Sequence, residues 1–378
     1  MNARALLARH GVLALFLLSA AVVSAQRVTL GKHRVYLLYR AAFYDLLAGR
    51  NLYADRSADY LDYFRYSPTF ALLFAPFAVV PVALGVLLWY TLNAVALFLA
   101  LRALLPERAA KIAQVIVLAD LVRSMQSSQM NALLAALMIA ACLAFQRGQP
   151  GPGALAVNLG AFAKIFPAMA GVFALLSPRR VRAIGLLTVT AAVLLALPAL
   201  VTGPAELVRQ YRWWMDIGPG ESKPWFSLMD ALNVWTGTTW PVLPVQLAGV
   251  ALLLLPVALR RDAWRDAGFQ TLLLASLLVF SVLFNHRAET PSYVIAAAGI
   301  AVFFAAFPRT RLHLFVLVLY LLLATVGTSD LTPKAVREGL LEPWRVKVIP
   351  LIVAFVVMQI ELMRYSVVRS NHHRPATS

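Results

Sequence analysis

The sequence predicts an all-α polytopic membrane protein, and three observations carry that fold class. Of its 378 residues, 61% are hydrophobic and 13% charged, whereas an average soluble chain is about 45–50% apolar and about 25% charged. Apolar runs near the length of about 20 residues that crosses a bilayer recur from end to end. The formal charge of +17, from 34 Lys and Arg against 17 Asp and Glu, is gathered in short clusters between those runs. Such clusters on alternate loops are the pattern of the positive-inside rule. No basic, aromatic-interleaved patch on a soluble domain exists to hold nucleic acid, so DNA and RNA are excluded as partners. Cys142, the single cysteine, lies inside an apolar run, which excludes a disulfide framework and a thiolate metal site.

The N-terminal run follows Arg4 and Arg9 and reads as an uncleaved first span. Its Val-Ser-Ala before Gln26 also fits a cleavable signal peptide. Further spans are expected near 68–81, 83–102, 112–124, 129–146, 152–176, 183–203, 241–259, 268–285, 291–307, 313–328 and 346–363. With the first they make about twelve, of which 68–81 and 112–124 are short enough to be tilted or re-entrant. Arg179, Arg180 and Arg182, then Arg260, Arg261 and Arg265, then Arg309 and Arg311, and the tail's Arg364, Arg369 and Arg374 fall on the side of Arg4 and Arg9. That side is the expected cytoplasmic face, so both termini are cytoplasmic. Arg102, Arg108 and Lys111 are the exception, since the same count puts them outside. The chain reads as one integral membrane domain, 1–378, with outer segments 26–66, 204–240, 285–290 and 329–345. No internal repeat and no soluble domain is visible.

In the first outer loop, YLLYRAAFYDLL has helical spacing and reads as an amphipathic helix at the membrane surface, ended by Gly49 and Asn51. Asp55, Asp59 and Asp62 then lie among Tyr53, Tyr60, Tyr63, Phe64 and Tyr66. Asp59 and Asp62 share a face if they form a helical turn. They either solvate the loop and pair with Arg56 and Arg65, or supply a general base for a hydroxyl acceptor. The loop 204–240 holds Trp213, Trp214, Trp225, Trp235 and Trp240. These rings either sit at the interface or form a platform for sugar faces and isoprenoid chains.

Lys164 falls inside an expected span, just before Pro167, where an ion is a functional hypothesis by default. It either snorkels or meets a carbonyl, or it faces a cavity and holds a lipid phosphate. The run RSMQSSQMN at 123–131 reads as a tight hairpin rather than a site. Between two apolar runs, Asn285, His286, Arg287 and Glu289 precede Pro291 at the mouth of two spans. Pro favours a first helical turn, and free N–H groups there attract an anion. His286 and Arg287 together suit a phosphate or pyrophosphate.

The segment AGRNLYADRSADYLDYFRYSPTFALLFAPFAVVP resembles the first outer loop and following span of glycosyltransferase family 87. LLWYTLNAVALFLALRALL, SSQMNALLAALMIAACLAF, LGAFAKIFPAMAGVFALLSPRRVRA and FNHRAETPSYVIAAAGIAVFF follow in the family's order. The resemblance covers nearly the whole chain. It implies a GT-C-like bundle of about 12 transmembrane helices with extracytoplasmic loops in the cell (inner) membrane. It also implies inverting transfer of a sugar, mannose by analogy, from a polyprenyl-phosphate donor to a lipid or glycan acceptor hydroxyl, without nucleotide sugar. Metal dependence varies within that fold, and no metal cage or cofactor motif stands out here. Where many members carry a D-F pair before the first-loop helix, this chain has Lys32-His33-Arg34-Val35. The base is therefore assigned to Asp62, with Asp59 second. His286, Arg287, Lys164 and Arg65 take the donor phosphate, Asn285 and Glu289 orient, and Tyr66 and Trp225 form the substrate platform. A non-catalytic cell-envelope assembly subunit and a lipid or solute transporter are the rival classes. A transporter would be expected to show a repeat.

Overall fold

The computed structural model describes residues 3–55, 63–217 and 225–366, with side chains from residue 10 onward. Asp59, Asp62 and Arg56, and Arg369 and Arg374 of the tail, lie outside the described residues. Among the described residues, every regular element is helical. Five helical stretches are long and apolar enough to cross a membrane: His10–Thr29, Val82–Leu104, Arg180–Thr202, Val242–Leu259 and Val346–Arg364. The protein is an all-helical membrane protein.

The long helices are α1 (Ala3–Thr29), α2 (Arg34–Leu47), α3 (Val82–Leu104), α4 (Glu107–Gln126), α5 (Asn131–Gln146) and α6 (Pro150–Ala163). A 3₁₀ turn, Phe166–Gly171, leads into α7 (Val172–Leu176), followed by α8 (Arg180–Ala196), α9 (Pro204–Met215) and α10 (Leu228–Thr236). The remainder are α11 (Val242–Leu259), α12 (Ala267–Leu283), α13 (Tyr293–Ala306), α14 (Arg311–Tyr320) and α15 (Ile349–Arg364). The core lies where α12 and α13 pack together and against α4, α5 and α15. Leu273, Leu274, Leu277, Leu278, Ile295 and Ile300 are all fully buried there. Gly299 lets α13 approach α12 closely: a Cβ on it would stand 2.6 Å from the Ala275 carbonyl. Helix α1 docks on α3, with Phe16 edge-on to Phe98 at 5.5 Å.

Two departures from the expected span order change the topology. Residues 68–81 form only the short helices Pro68–Leu73 and Ala75–Ala78, too short to cross. Pro76 and Pro81 prevent one continuous helix. Side chains of α2 satisfy carbonyls left open there: the Tyr36 hydroxyl donates to the Phe77 oxygen at 2.7 Å and Arg40 Nε to the Ala78 oxygen at 2.9 Å. The run 152–176 is not a single span either. Helix α6 stops at Lys164, whose backbone is extended (φ −144°, ψ 145°), and the 3₁₀ turn folds back along α6. Gly160 is the contact point, since a Cβ on it would stand 2.8 Å from Pro167 Cβ.

These two changes move the loops between them. The α3–α4 corner now meets the end of α5, where Arg147 donates to the Ala103 carbonyl at 3.4 Å. The Ser177 hydroxyl reaches the Phe145 carbonyl at 3.2 Å on that same end. Arg102, Arg108 and Lys111 therefore lie with Arg147, Arg179 and Arg180 at one end of the bundle, and the exception in the charge pattern disappears. The turn 127–130 moves to the opposite end, where the Trp89 indole donates to the Ser128 carbonyl at 3.1 Å.

A buried polar network fixes α4 to α14 and to the start of the last helix. Asp120, only 1% exposed, accepts from the Tyr320 hydroxyl at 3.1 Å and the Thr325 hydroxyl at 3.0 Å. Arg123 donates to the Thr325 carbonyl at 2.8 Å, one of the carbonyls in the π-helical turn Leu321–Val326. A π turn shifts the ladder by one residue and leaves such groups available. Lys347, also 1% exposed, donates to the Thr328 hydroxyl at 3.1 Å.

Candidate active site

A cavity of about 320 Å³ opens at the end of the bundle away from the arginine loops. Tyr63, Arg65, Tyr66, Gln129, Lys164, Trp214, Trp225, Asn285, His286, Arg287 and Glu289 line it. Every described residue named from the sequence as a site candidate lines this one cavity, drawn from four segments far apart in the chain. Asp59 and Asp62 lie outside the described residues, in the segment that leads directly to Tyr63.

Each segment is held by identifiable contacts. Ser67 caps the helix after it, accepting from Phe70 N at 3.1 Å, and its hydroxyl donates to the Phe162 carbonyl at 2.5 Å. That carbonyl belongs to the last turn of α6, where helix carbonyls lack partners. The same bond ties the Arg65–Tyr66 strip to the break at Lys164. Tyr66 stands among Phe64, Phe70 and Tyr39, at ring separations of 5.4, 5.1 and 5.1 Å. The Tyr39 hydroxyl of α2 donates to its hydroxyl at 2.9 Å. Trp214 of α9 donates its indole N–H to the Arg65 carbonyl at 3.1 Å.

Lys164 owes its place to the broken helix. Its ammonium donates to Asn131 Oδ1 at 2.9 Å and Gln129 Oε1 at 3.2 Å, and it lies 6.0 Å from the Tyr66 ring centre. The 14 residues of α6 rise about 21 Å, less than the hydrocarbon thickness of about 30 Å. The ammonium thus lines the cavity from the end of a helix that is too short by itself to cross a bilayer. The run 123–131 is a hairpin as expected, with Ser128 at φ +53°, and it also belongs to the site through Gln129 and Asn131. Their signal was visible in the sequence, since polar amides between two apolar runs need partners.

The segment 285–289 is a built turn. Asn285 Oδ1 accepts from Arg287 N at 3.1 Å and its carbonyl accepts from Ala288 N at 2.9 Å. Ala288 in turn accepts from Phe226 N at 2.8 Å, and the Phe226 carbonyl accepts from the Tyr293 hydroxyl at 2.9 Å. This bridge brings Trp225 to the cavity. Pro291 sits in the 3₁₀ turn Thr290–Ser292, which leads into α13. Glu289 Oε2 is 3.5 Å from Gln129 Nε2, so the amide that accepts from Lys164 also meets this carboxylate. Glu289 is the one acid lining the cavity among the described residues.

The electrostatics of the cavity favour an anion. Arg65 and Arg287 are close enough that the Arg65 charge helps depress the Arg287 guanidinium, after the larger effect of burial. One Arg65 terminal nitrogen is buried and has no hydrogen-bond partner among the described residues. An unsatisfied buried donor is costly, and a phosphate oxygen would satisfy it. The His286 imidazole lies 3.4 Å from Gln246 Nε2. Burial, and then the Arg287 charge, push its pKa below 6.5.

The model of glycosyltransferase family 87 matches residues 64–285. The chain belongs to glycosyltransferase family 87. No curated protein matches the chain. As a family 87 member it is a membrane glycosyltransferase. The matched region carries Arg65, Tyr66, Lys164, Trp225 and Asn285. His286, Arg287 and Glu289 follow directly after its end.

Two consequences of the cavity's geometry in this family 87 member are testable. A phosphate anion held in the cavity would stabilise imidazolium, so its affinity is expected to rise as pH falls below 6.5 toward the lowered pKa of His286. His286→Gln should flatten that limb in a donor-binding titration. The linked effect on stability has the opposite sign: the unfolded His binds its proton first, so its contribution is present above pH 6.5 and lost below. Gly160→Ala must displace the Pro167 ring and with it the turn after Lys164. It is expected to cost about 1–3 kcal/mol as an overpacked contact, read as a lowered Tm, with transfer activity falling further than the stability loss explains.

Proposed function

We propose that the enzyme transfers a sugar from a polyprenyl-phosphate donor to a hydroxyl of a lipid or glycan acceptor, with inversion, and that mannose is the first sugar to test. In this reading the chain is one integral domain with twelve crossings, counting α6 and the 3₁₀–α7 limb separately and leaving 68–81 at the surface. The arginine end is cytoplasmic, both termini lie there, and the cavity opens on the outer face of the cell (inner) membrane.

The observation that carries this reading is the convergence of Arg65, Lys164, His286 and Arg287 on one cavity walled by Tyr66, Trp214 and Trp225. Guanidinium groups fork onto phosphate oxygens, and the ammonium adds a point charge as the sugar–phosphate bond breaks. Asn285 holds the turn that presents His286 and Arg287, and Glu289 orients through Gln129. Tyr66 and Trp225 offer flat faces to the sugar and the first isoprene units. Asp62, with Asp59 second, removes the acceptor proton as the sugar carbon is attacked from the face opposite the departing phosphate. The proton passes to the carboxylate and the electron pair leaves with the lipid phosphate.

The test is transfer by purified protein in nanodiscs, with radiolabelled polyprenyl-phosphate sugars and total envelope lipid as acceptor. Labelled product that requires the lipid-phosphate donor supports the reading. Donor that is bound yet moved across the bilayer unaltered would favour a transporter, and donor bound but never consumed with any acceptor would favour an assembly role for the site.

A further inference from the structure

A second and larger cavity, about 700 Å³, lies at the other end of the bundle. Helices α8 and α12 each run between the two ends. The C-terminal end of α12 leads to Asn285 and its N-terminal end to Arg265. The C-terminal end of α8 is held at the site end by the Thr69 hydroxyl, which donates to the Leu194 carbonyl at 2.7 Å, and its N-terminal end carries Arg180. The second cavity therefore faces the opposite membrane surface from the catalytic one.

Arg179, Arg180, Arg182, Arg261 and Arg265 all line it. The charge pattern of membrane insertion accounts for arginines in both loops, but not for two loops so distant in sequence closing around one space. Asp262, the acid in the lining, is already forked by Arg260 at 2.9 and 3.1 Å, so it does not neutralise the other five. The walls are built. Arg179 N donates to the Ser177 hydroxyl oxygen at 3.3 Å, and the Arg179–Arg180 junction is the N-terminus of α8, whose open N–H groups add to the positive field. Across the cavity, the Trp264 indole donates to the Val257 carbonyl at 2.6 Å and the Trp264 carbonyl accepts from Gln270 at 2.7 Å. Leu176 and Trp264 supply apolar lining at the ends of the membrane helices.

We propose that this cavity is a binding site for the phosphate headgroup of an anionic phospholipid. Guanidinium groups recognise phosphate in two-pronged fashion, and basic pockets between membrane helices take up such headgroups. The apolar rim at the helix ends receives the start of the acyl chains, which a free phosphate lacks. This site is independent of the transfer reaction and of the residues assigned to it.

The experiment is native mass spectrometry of the full chain released from phosphatidylcholine nanodiscs with or without phosphatidylglycerol, repeated with inorganic pyrophosphate added. Phosphatidylglycerol is expected to be retained in preference to phosphatidylcholine. The triple variant Arg180→Gln, Arg182→Gln, Arg265→Gln should lower that retention about 10- to 100-fold. The triple Arg→Lys variant keeps the charges that set insertion and loses the fork, so it should retain the lipid severalfold less well than the native chain while keeping its Tm. Equal retention of the two lipids, or retention unchanged in the Gln variant, would overturn the proposal. So would displacement of the lipid by pyrophosphate alone, which would mark a free-phosphate site. Retention equal in the native and Lys chains would reduce the cavity to nonspecific charge.

Discussion

Asp62→Asn is expected to lower sugar transfer by about 10²- to 10⁴-fold, the range for loss of a general base, while donor binding stays within a factor of a few. The substitution keeps the size of the side chain and removes only its basicity. In the sequence Asp62 directly precedes Tyr63, which lines the cavity with Arg65 and Tyr66. Asp59→Asn should leave most of the activity. If Asp59→Asn abolishes transfer and Asp62→Asn spares it, the two roles exchange. If neither changes turnover, the base lies elsewhere, and Glu289, which already lines the cavity, becomes the acid to replace next.

Lys164→Gln is expected to be nearly as damaging, at about 10²- to 10³-fold in turnover, the usual effect of deleting one donor aimed at developing charge. In the proposed reaction the developing charge is on the departing phosphate, and the ammonium lines the cavity proposed to hold it. Glutamine retains a donor for Asn131 or Gln129, so the helix break should persist, and an unchanged Tm would show that it does. Donor affinity should weaken less than turnover, because a bound phosphodiester carries less charge than the phosphate that leaves. Equal loss in both quantities would make Lys164 a binding group only.

The site was largely legible in the sequence because membranes make polar residues conspicuous. Lys164 and the Asn285–Glu289 turn stand out against apolar runs, and the structure brings both to one cavity with Arg65, Tyr66 and Trp225. The crossings were less legible. Hydropathy measures how greasy a run is and not whether its helix continues. It therefore counted 68–81, where prolines divide the helix, and merged two limbs at 152–176, where the backbone reverses after Lys164. Those two errors pushed Arg102, Arg108 and Lys111 to the wrong end. The charge rule flagged the inconsistency without locating its cause. Gln129 escaped notice because a tight hairpin accounts for a polar turn between two apolar runs as readily as a site does, although its amide needed a partner. The network of Asp120, Arg123, Tyr320 and Lys347 was missed for another reason: Asp120 and Arg123 lie some two hundred residues before Tyr320, and the π turn at Leu321–Val326 brings a carbonyl within reach of Arg123.

The hairpin that ends at Lys164 also has an order in time. Synthesis runs from the N-terminus, so the turn bearing Gln129 and Asn131 leaves the ribosome before the lysine does. An ammonium stranded at membrane depth is expensive, but this one arrives after both of its amide acceptors have been made. The limb that follows can then fold back over a charge already accommodated.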